Sequence, residues 1–111
     1  MSLKNDVEVA LKKVINKFDK QEYKALYGNF TKLIQFTFPD LKTSYLIKVT
    51  NGNVESFKEE KIDNPNIHLT IDSNNFLDIL NKKIKPMAAY TTGKLKVKGN
   101  MLDVLKLQKI L

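Results

Sequence analysis

The apolar positions of this chain change period several times, and each change marks an element. From Asp6 to Phe18, the residues Val7, Ala10, Leu11, Val14, Ile15 and Phe18 recur at spacings of three and four with lysines between them, which predicts an amphipathic helix burying one face. Helix formers continue from Lys20 to Gly28, a C-cap candidate, so a second short helical piece precedes the first strand. From Phe30 to Phe38 the period becomes two. Phe30, Ile34, Phe36 and Phe38 share one parity and Thr31, Gln35 and Thr37 the other, the pattern of a half-buried strand. Pro39 and Asp40 break it, and alternation resumes from Thr43 to Thr50 through Tyr45, Ile47 and Val49. Asn51-Gly52 tolerates positive φ at both central turn positions, so it predicts a hairpin into a short, charged strand, Val54 to Lys58, that reads as a sheet edge.

A polar connection, Lys61 to Asn66, leads to a strand in which Ile67, Leu69 and Ile71 alternate with His68 and Thr70. Asp72 and Ser73 are placed to cap a helix from Asn74 to Lys82, with Phe76, Leu77 and Leu80 as its inner face. Pro86 suits the first turn of a short helix reaching Thr91, because its missing N–H would be unpaired there anyway. Gly93 ends that helix. Next, Leu95 and Val97 point to one face of a strand and Lys94, Lys96 and Lys98 to the other, before Gly99 ends the strand and Asn100 caps a last helix. No repeat, low-complexity tract or long linker divides the chain, so residues 1–111 are expected to form a single domain.

The last helix breaks the pattern of the others. Met101, Leu102, Val104, Leu105, Leu107, Ile110 and Leu111 spread around most of its circumference, whereas a helix lying on a core needs a stripe little wider than about 100°. Either protein encloses this helix, or it covers something apolar, such as a ligand or a partner chain. The preceding segment, with Ile84, Met87, Ala88, Ala89 and Tyr90, is also more apolar than polar, and methionine adapts to irregular contents.

Composition narrows the chemistry. The hydrophobic fraction of 42% contains no run near the roughly 18 to 20 apolar residues of a membrane span, and charges interrupt the N-terminus too often for a secretory signal, so a cytoplasmic location is expected. Cysteine is absent, which excludes disulfides, thiolate nucleophiles and cysteine metal sites. The net charge of +7 raises nucleic acid or an anionic membrane as partner, but all 19 basic residues are lysines, so the planar fork that reads guanine edges is missing. No aromatic residues interleave the lysines as in a single-strand stacking platform. Around Gly93 and Gly99 the spacing is wrong for a phosphate-binding loop, and Asn100 stands where that loop needs lysine. His68 is the lone histidine, on the polar parity of its strand, and reads as a surface residue unable to center a zinc site. Asp63, Asp72 and Asp78 form no paired arrangement, and no nucleophile has a base. No catalytic residue, metal or cofactor is expected.

The stretch IKPMAAYTTGKLKVKGNMLDVLKLQKIL, Ile84 to Leu111, resembles the signature region of the sterol carrier protein type 2 family: a proline-led short helix, G-K-L-K-V-K-G-N and an apolar terminal helix. The upstream IHLTIDSNNFLDILNKK is similar to that family's strand, cap and helix, while the first half of the chain matches in element order alone. The resemblance implies an α+β fold, a five-stranded, mostly antiparallel mixed sheet with helices over one face, enclosing an apolar tunnel. It implies non-catalytic binding and transfer of a fatty acyl chain, acyl-coenzyme A, phospholipid or sterol-like lipid. Peroxisomal members end in a tripeptide like S-K-L, and the ending Lys109-Ile110-Leu111 departs from it, which counts against a peroxisomal address.

On that reading the expected lining is Phe76, Leu80, Ile84, Met87, Tyr90, Met101, Leu102 and Leu105, with Leu95 and Val97 as a possible floor. Lysines such as Lys94, Lys96 and Lys98 would hold the domain transiently against anionic headgroups while the last helix swings to admit a chain. The alternative from another class is a protein–protein interaction or dimerisation module using the apolar C-terminal helix. A monomer or weak dimer is expected, with no specific nucleic acid.

Overall fold

A computed structural model describes residues 2–111; Met1, the first residue of the expected 1–111 domain, lies outside them. In chain order the elements are α1 (Leu3–Lys17), α2 (Gln21–Tyr27), β1 (Lys32–Phe38), β2 (Thr43–Thr50), β3 (Asn53–Glu59), β4 (Ile67–Ile71), α3 (Ser73–Leu80), α4 (Pro86–Thr91), β5 (Leu95–Lys98) and α5 (Met101–Gln108), with a 3-10 turn at Pro39–Leu41. The sheet order is β3-β2-β1-β4-β5. β1 runs parallel to β4, Phe36 facing Leu69, and every other neighbouring pair is antiparallel. This is an α+β fold with a five-stranded mixed sheet.

Alternation decides which face receives the helices. Ile34, Phe36 and Phe38 of β1, Tyr45, Ile47 and Val49 of β2, Ile67, Leu69 and Ile71 of β4 and Leu95 of β5 join one core with Val7, Leu11 and Val14 of α1. The opposite parity of β2, β3 and β5 leaves Lys48, Lys58, Lys96 and Lys98 exposed. At the β2–β3 turn Asn51 and Gly52 both take positive φ, 49° and 80°, as the Asn-Gly pair predicts. Gly52 has a second role there: a Cβ would collide with the Tyr27 carbonyl, and its N–H donates to the Phe30 carbonyl at 2.9 Å, tying the hairpin to the end of α2.

Three local features differ from the sequence reading. Asp72 sits at the N-cap of α3 but makes no side-chain cap bond. Asp40 does that work from the 3-10 turn: its carboxylate accepts the Ser73 N–H at 3.0 Å and the Ser73 hydroxyl. With Ser73 pinned, α3 buries Ser73, Phe76 and Ile79, and Leu77 and Leu80 are half-buried flanks rather than the inner face. Second, Gln35 is fully buried although it lies on the polar parity. The connection after β3 crosses it, so that Gln35 Oε1 accepts the Ile62 N–H at 2.8 Å while Asn66 Oδ1 accepts the Leu33 N–H at 2.7 Å. Third, His68 is no free surface residue. It is half-buried, with Nε2 at 2.7 Å from Thr37 Oγ1, which in turn lies 2.8 Å from Ser44 Oγ.

Candidate functional site

The segment after α3 is built around a short helix that approaches the sheet closely. Pro86 occupies the first helical position of α4, where its fixed φ suits the helix and no N–H is missed. Ala89, fully buried, is small enough to let α4 lie near β5, while Met87 and Tyr90 remain about half exposed. The Thr92 hydroxyl donates to the Ala88 carbonyl at 2.8 Å, closing α4 before β5. Beyond β5, Gly99 at φ 144° passes so close to β4 that a Cβ would stand 2.9 Å from the Asn66 carbonyl. Asn100 Oδ1 then accepts the Leu102 N–H at 2.9 Å and starts α5.

α5 is held at its far end. Leu107 and Ile110 are buried, the Tyr27 hydroxyl donates to the Lys106 carbonyl, and Lys17 Nζ donates to the Ile110 carbonyl at 3.1 Å. Lys32 pairs with Asp103 at 3.2 Å. Burial, with a smaller contribution from Tyr23, pushes the Tyr27 hydroxyl up to about 12, and burial beside Lys82 and Lys20 lowers Lys17. The first turn lacks such packing: Met101 is 60% and Leu102 70% exposed.

Between α4, β5 and α5 lies an apolar cavity of about 90 Å³. Leu69, Leu95 and Val97 floor it, Pro86, Met87 and Tyr90 form one wall, and Met101, Val104, Leu105 and Leu107 form the other. Leu111 and the Gly99 backbone complete it, and Gln108 and Tyr90 are the lining residues with polar side-chain groups. The volume corresponds to about three waters at ~30 Å³ each, against the roughly 300 to 1,000 Å³ of ligand sites, so an acyl chain enters only if a wall moves. A second cleft of about 340 Å³, among Pro39, Thr70, Asp72, Asn75 and Lys96, is larger but open and mostly polar. It offers an acyl chain little relief from water.

Of the residues expected to line a site, Met87, Tyr90, Met101 and Leu105 converge on the cavity, and Leu95 and Val97 form its floor. Phe76 lies elsewhere, packed against Phe36 and Phe38 with ring centers 5.6 and 5.3 Å away. Leu80 and Ile84 pack partly buried against the core, and Leu102 faces solvent. The sequence reading missed Leu69, Val104, Leu107, Gln108 and Leu111. Leu69 follows from strand pairing, since it faces Val97 across β4 and β5. Met101, Val104, Gln108 and Leu111 lie three, four and three apart, a legible helical stripe in which Gln108 is the polar member.

The sequence profile of the SCP-2 sterol transfer family matches residues 11–111. The chain belongs to that family. Hydroxysteroid dehydrogenase-like protein 2 of Xenopus tropicalis is 34% identical over 68 residues, 61% of this chain and 16% of that protein, so the match spans about a sixth of that relative's length. The crystal structure of sterol carrier protein 2 like 2 from Aedes aegypti covers 99% of this chain and 100% of its own at 12% identity, with a TM-score of 0.75. A solution structure of palmitated SCP2L2 from the same organism covers 89% of this chain and 91% of its own at 13% identity, with a TM-score of 0.60. These likenesses establish the fold. No helix among the described residues is long and apolar enough to cross a membrane.

Proposed function

We propose that this chain is a non-catalytic lipid-binding domain that takes an acyl or similarly apolar chain into the space between α4, β5 and α5 and passes it on. The single observation that carries this is the apolar cavity, whose outer wall is a helix fixed at its far end and weakly covered at its start. Family membership and the palmitate carried by an Aedes aegypti relative support it.

Energetics set the expected affinity. A chain of about 14 methylenes gains about 11 kcal/mol on leaving water, and association costs roughly 4 to 15 kcal/mol, so at most about 7 kcal/mol remains. That corresponds to a Kd of about 10 µM and little selectivity among chains of similar length. Since the cavity holds only a few methylenes, uptake requires the first turns of α5 to move outward while Leu107 and Ile110 stay seated. Gln108 and the Tyr90 hydroxyl are then the groups positioned to meet a polar end.

The test is titration of lipid-stripped protein with a fluorescent fatty acid, with native mass spectrometry of the purified protein alongside. Saturable one-to-one binding is expected. A stripped protein without saturable uptake overturns the reading.

A further inference from the structure

Of the asparagines in this chain, Asn51 alone is followed by glycine. The pair carries a chemistry of its own, because no side chain on the glycine shields its nitrogen from the asparagine's side-chain carbonyl; asparagine is a thermolabile residue for this reason. The Gly52 nitrogen loses its proton and bonds to Asn51 Cγ, the Cγ–Nδ2 bond breaks and ammonia leaves, which gives a succinimide ring. Water then opens the ring at one carbonyl to aspartate or at the other to isoaspartate. In isoaspartate the main chain runs through Cβ and Cγ, so the backbone is one carbon longer. Water is the only co-reactant.

The fold restrains both backbone nitrogens of the pair. The Gly52 N–H donates to the Phe30 carbonyl at 2.9 Å, and the Asn51 N–H donates to Thr31 Oγ1 at 2.9 Å. Attack requires the Gly52 nitrogen to leave its acceptor and turn toward the Asn51 side chain, so the reaction proceeds from an opened turn. Asn51 is exposed, and water reaches the ring once it forms.

This turn is also tied to the cavity wall. Gly52 lies so close to the Tyr27 carbonyl that a Cβ would collide with it, and the same carbonyl accepts the Phe30 N–H at 2.9 Å. The Tyr27 ring packs on Phe18 and Phe30, with ring centers 5.0 and 5.8 Å away, and its hydroxyl donates to the Lys106 carbonyl of α5. A carbon added to the turn therefore presses on the residue that holds α5.

We infer that Asn51 is a site of spontaneous isoaspartate formation, gated by the two hydrogen bonds of its turn, and that its modification loosens α5 through Tyr27. The consequence for lipid release rests on the lipid-binding reading; the modification and the loosening of α5 do not.

The purified chain is aged in warm, mildly alkaline buffer beside a peptide of residues 48–56, and isoaspartate is located by peptide mapping. Cation exchange isolates the modified fraction, in which a neutral amide has become a carboxylate. With each hydrogen bond slowing the reaction about fivefold, the folded chain should convert about 25-fold more slowly than the peptide, and Thr31→Ala about fivefold faster than wild type. Amide exchange in α5 should be about fivefold faster in the isoaspartyl fraction, with quicker release of a fluorescent fatty acid. Asn51→Gly keeps a glycine pair suited to the same hairpin, cannot react, and should age unchanged. Asn51→Asp carries the charge without the added carbon and should exchange like fresh wild type. Conversion of the folded chain as fast as the peptide removes the gate, and no isoaspartate at Asn51 in either wild type or Thr31→Ala removes the site. Unchanged α5 exchange in the isoaspartyl fraction, or equal loosening in Asn51→Asp, removes the coupling through chain length. Each of these results overturns the inference. Faster α5 exchange in a chain that takes up no fatty acid keeps it and sinks the cavity reading.

Discussion

In α1, Val7, Ala10, Leu11 and Val14 form one stripe and all four are buried; in α5, where apolar residues occur at a higher density, Leu107 is the buried member, Met101 and Leu102 stand largely in water and Leu105 is 43% exposed. Both helices belong to the same protein and both adjoin the same core. What separates them is the shape of the apolar surface: a narrow stripe can be matched by one sheet face, and a helix apolar on several sides cannot. The core around α1 is therefore finished by the chain itself. The region around α5 leaves apolar side chains uncovered beside a cavity, which is the physical basis for reading the first as a stability element and for the proposal that the second binds.

The sharpest break of that comparison is Phe76→Ala. Phe76 is 1% exposed and packs on Phe36 and Phe38, so its loss should cost about 3–5 kcal/mol of stability, read as a large drop in melting temperature. Fatty-acid affinity per folded molecule should stay unchanged. A variant that melts normally but binds poorly would place Phe76 in the site and dissolve the boundary between the two regions.

Next in size is Tyr27→Phe. Removing the hydroxyl leaves the Lys106 carbonyl without this donor, at a cost of about 1–3 kcal/mol, and loosens α5 where it is best held. Faster amide exchange through α5 and faster lipid release are expected, whereas unchanged exchange would mean that the latch holds nothing. The same residue sets an alkaline limit. Its hydroxyl ionises more readily in the unfolded chain, near 10, than in the fold, near 12, so the stability it lends is full below pH 10 and lost as pH rises toward 12. Melting curves of wild type and Tyr27→Phe should differ in slope across that window.

A smaller effect is expected from filling the cavity. Val104→Trp places bulk on the wall of α5 and should weaken fatty-acid binding about tenfold, near 1.4 kcal/mol, with melting temperature held or raised. Loss of both together would show that Val104 belongs to a closed core.

How much of this could be read beforehand depends on whether the deciding contact is local. Strand β2 and its Asn-Gly turn follow from alternation and turn chemistry a few residues apart, and the surplus of α5 is visible from residues 101–111 alone. The rotation of α3 is not local, because Asp40, 33 residues earlier, fixes Ser73. The burial of Gln35 likewise depends on Ile62, 27 residues later. At the site, expecting apolar residues alone on the inward stripe of α5 hid Gln108, although its spacing from Val104 and Leu111 already placed it there.

The face of the sheet away from the helices supplies the mildest contrast, since its groups are held by polar contacts rather than by apolar packing. His68 shares hydrogen-bonding distance with Thr37 at 2.7 Å and Gln35 at 3.4 Å, with Ser44 beyond Thr37 and Lys98 and Lys61 nearby. Burial first, then the two lysines, holds its pKa below the ordinary 6.5, so the fold favours the neutral ring. The stability gained is present above pH 6.5 and lost as pH falls through the lower folded value, where the charged ring sits beside Lys98. His68→Gln keeps a polar group in the network without a titrating one, and its melting temperature should vary less than that of wild type between pH 7 and 5. Fatty-acid affinity should follow neither the mutation nor that pH change, because the network lies across the sheet from the cavity. A parallel loss of binding would show that the two faces communicate through β4, whose Leu69 floors the cavity next to His68.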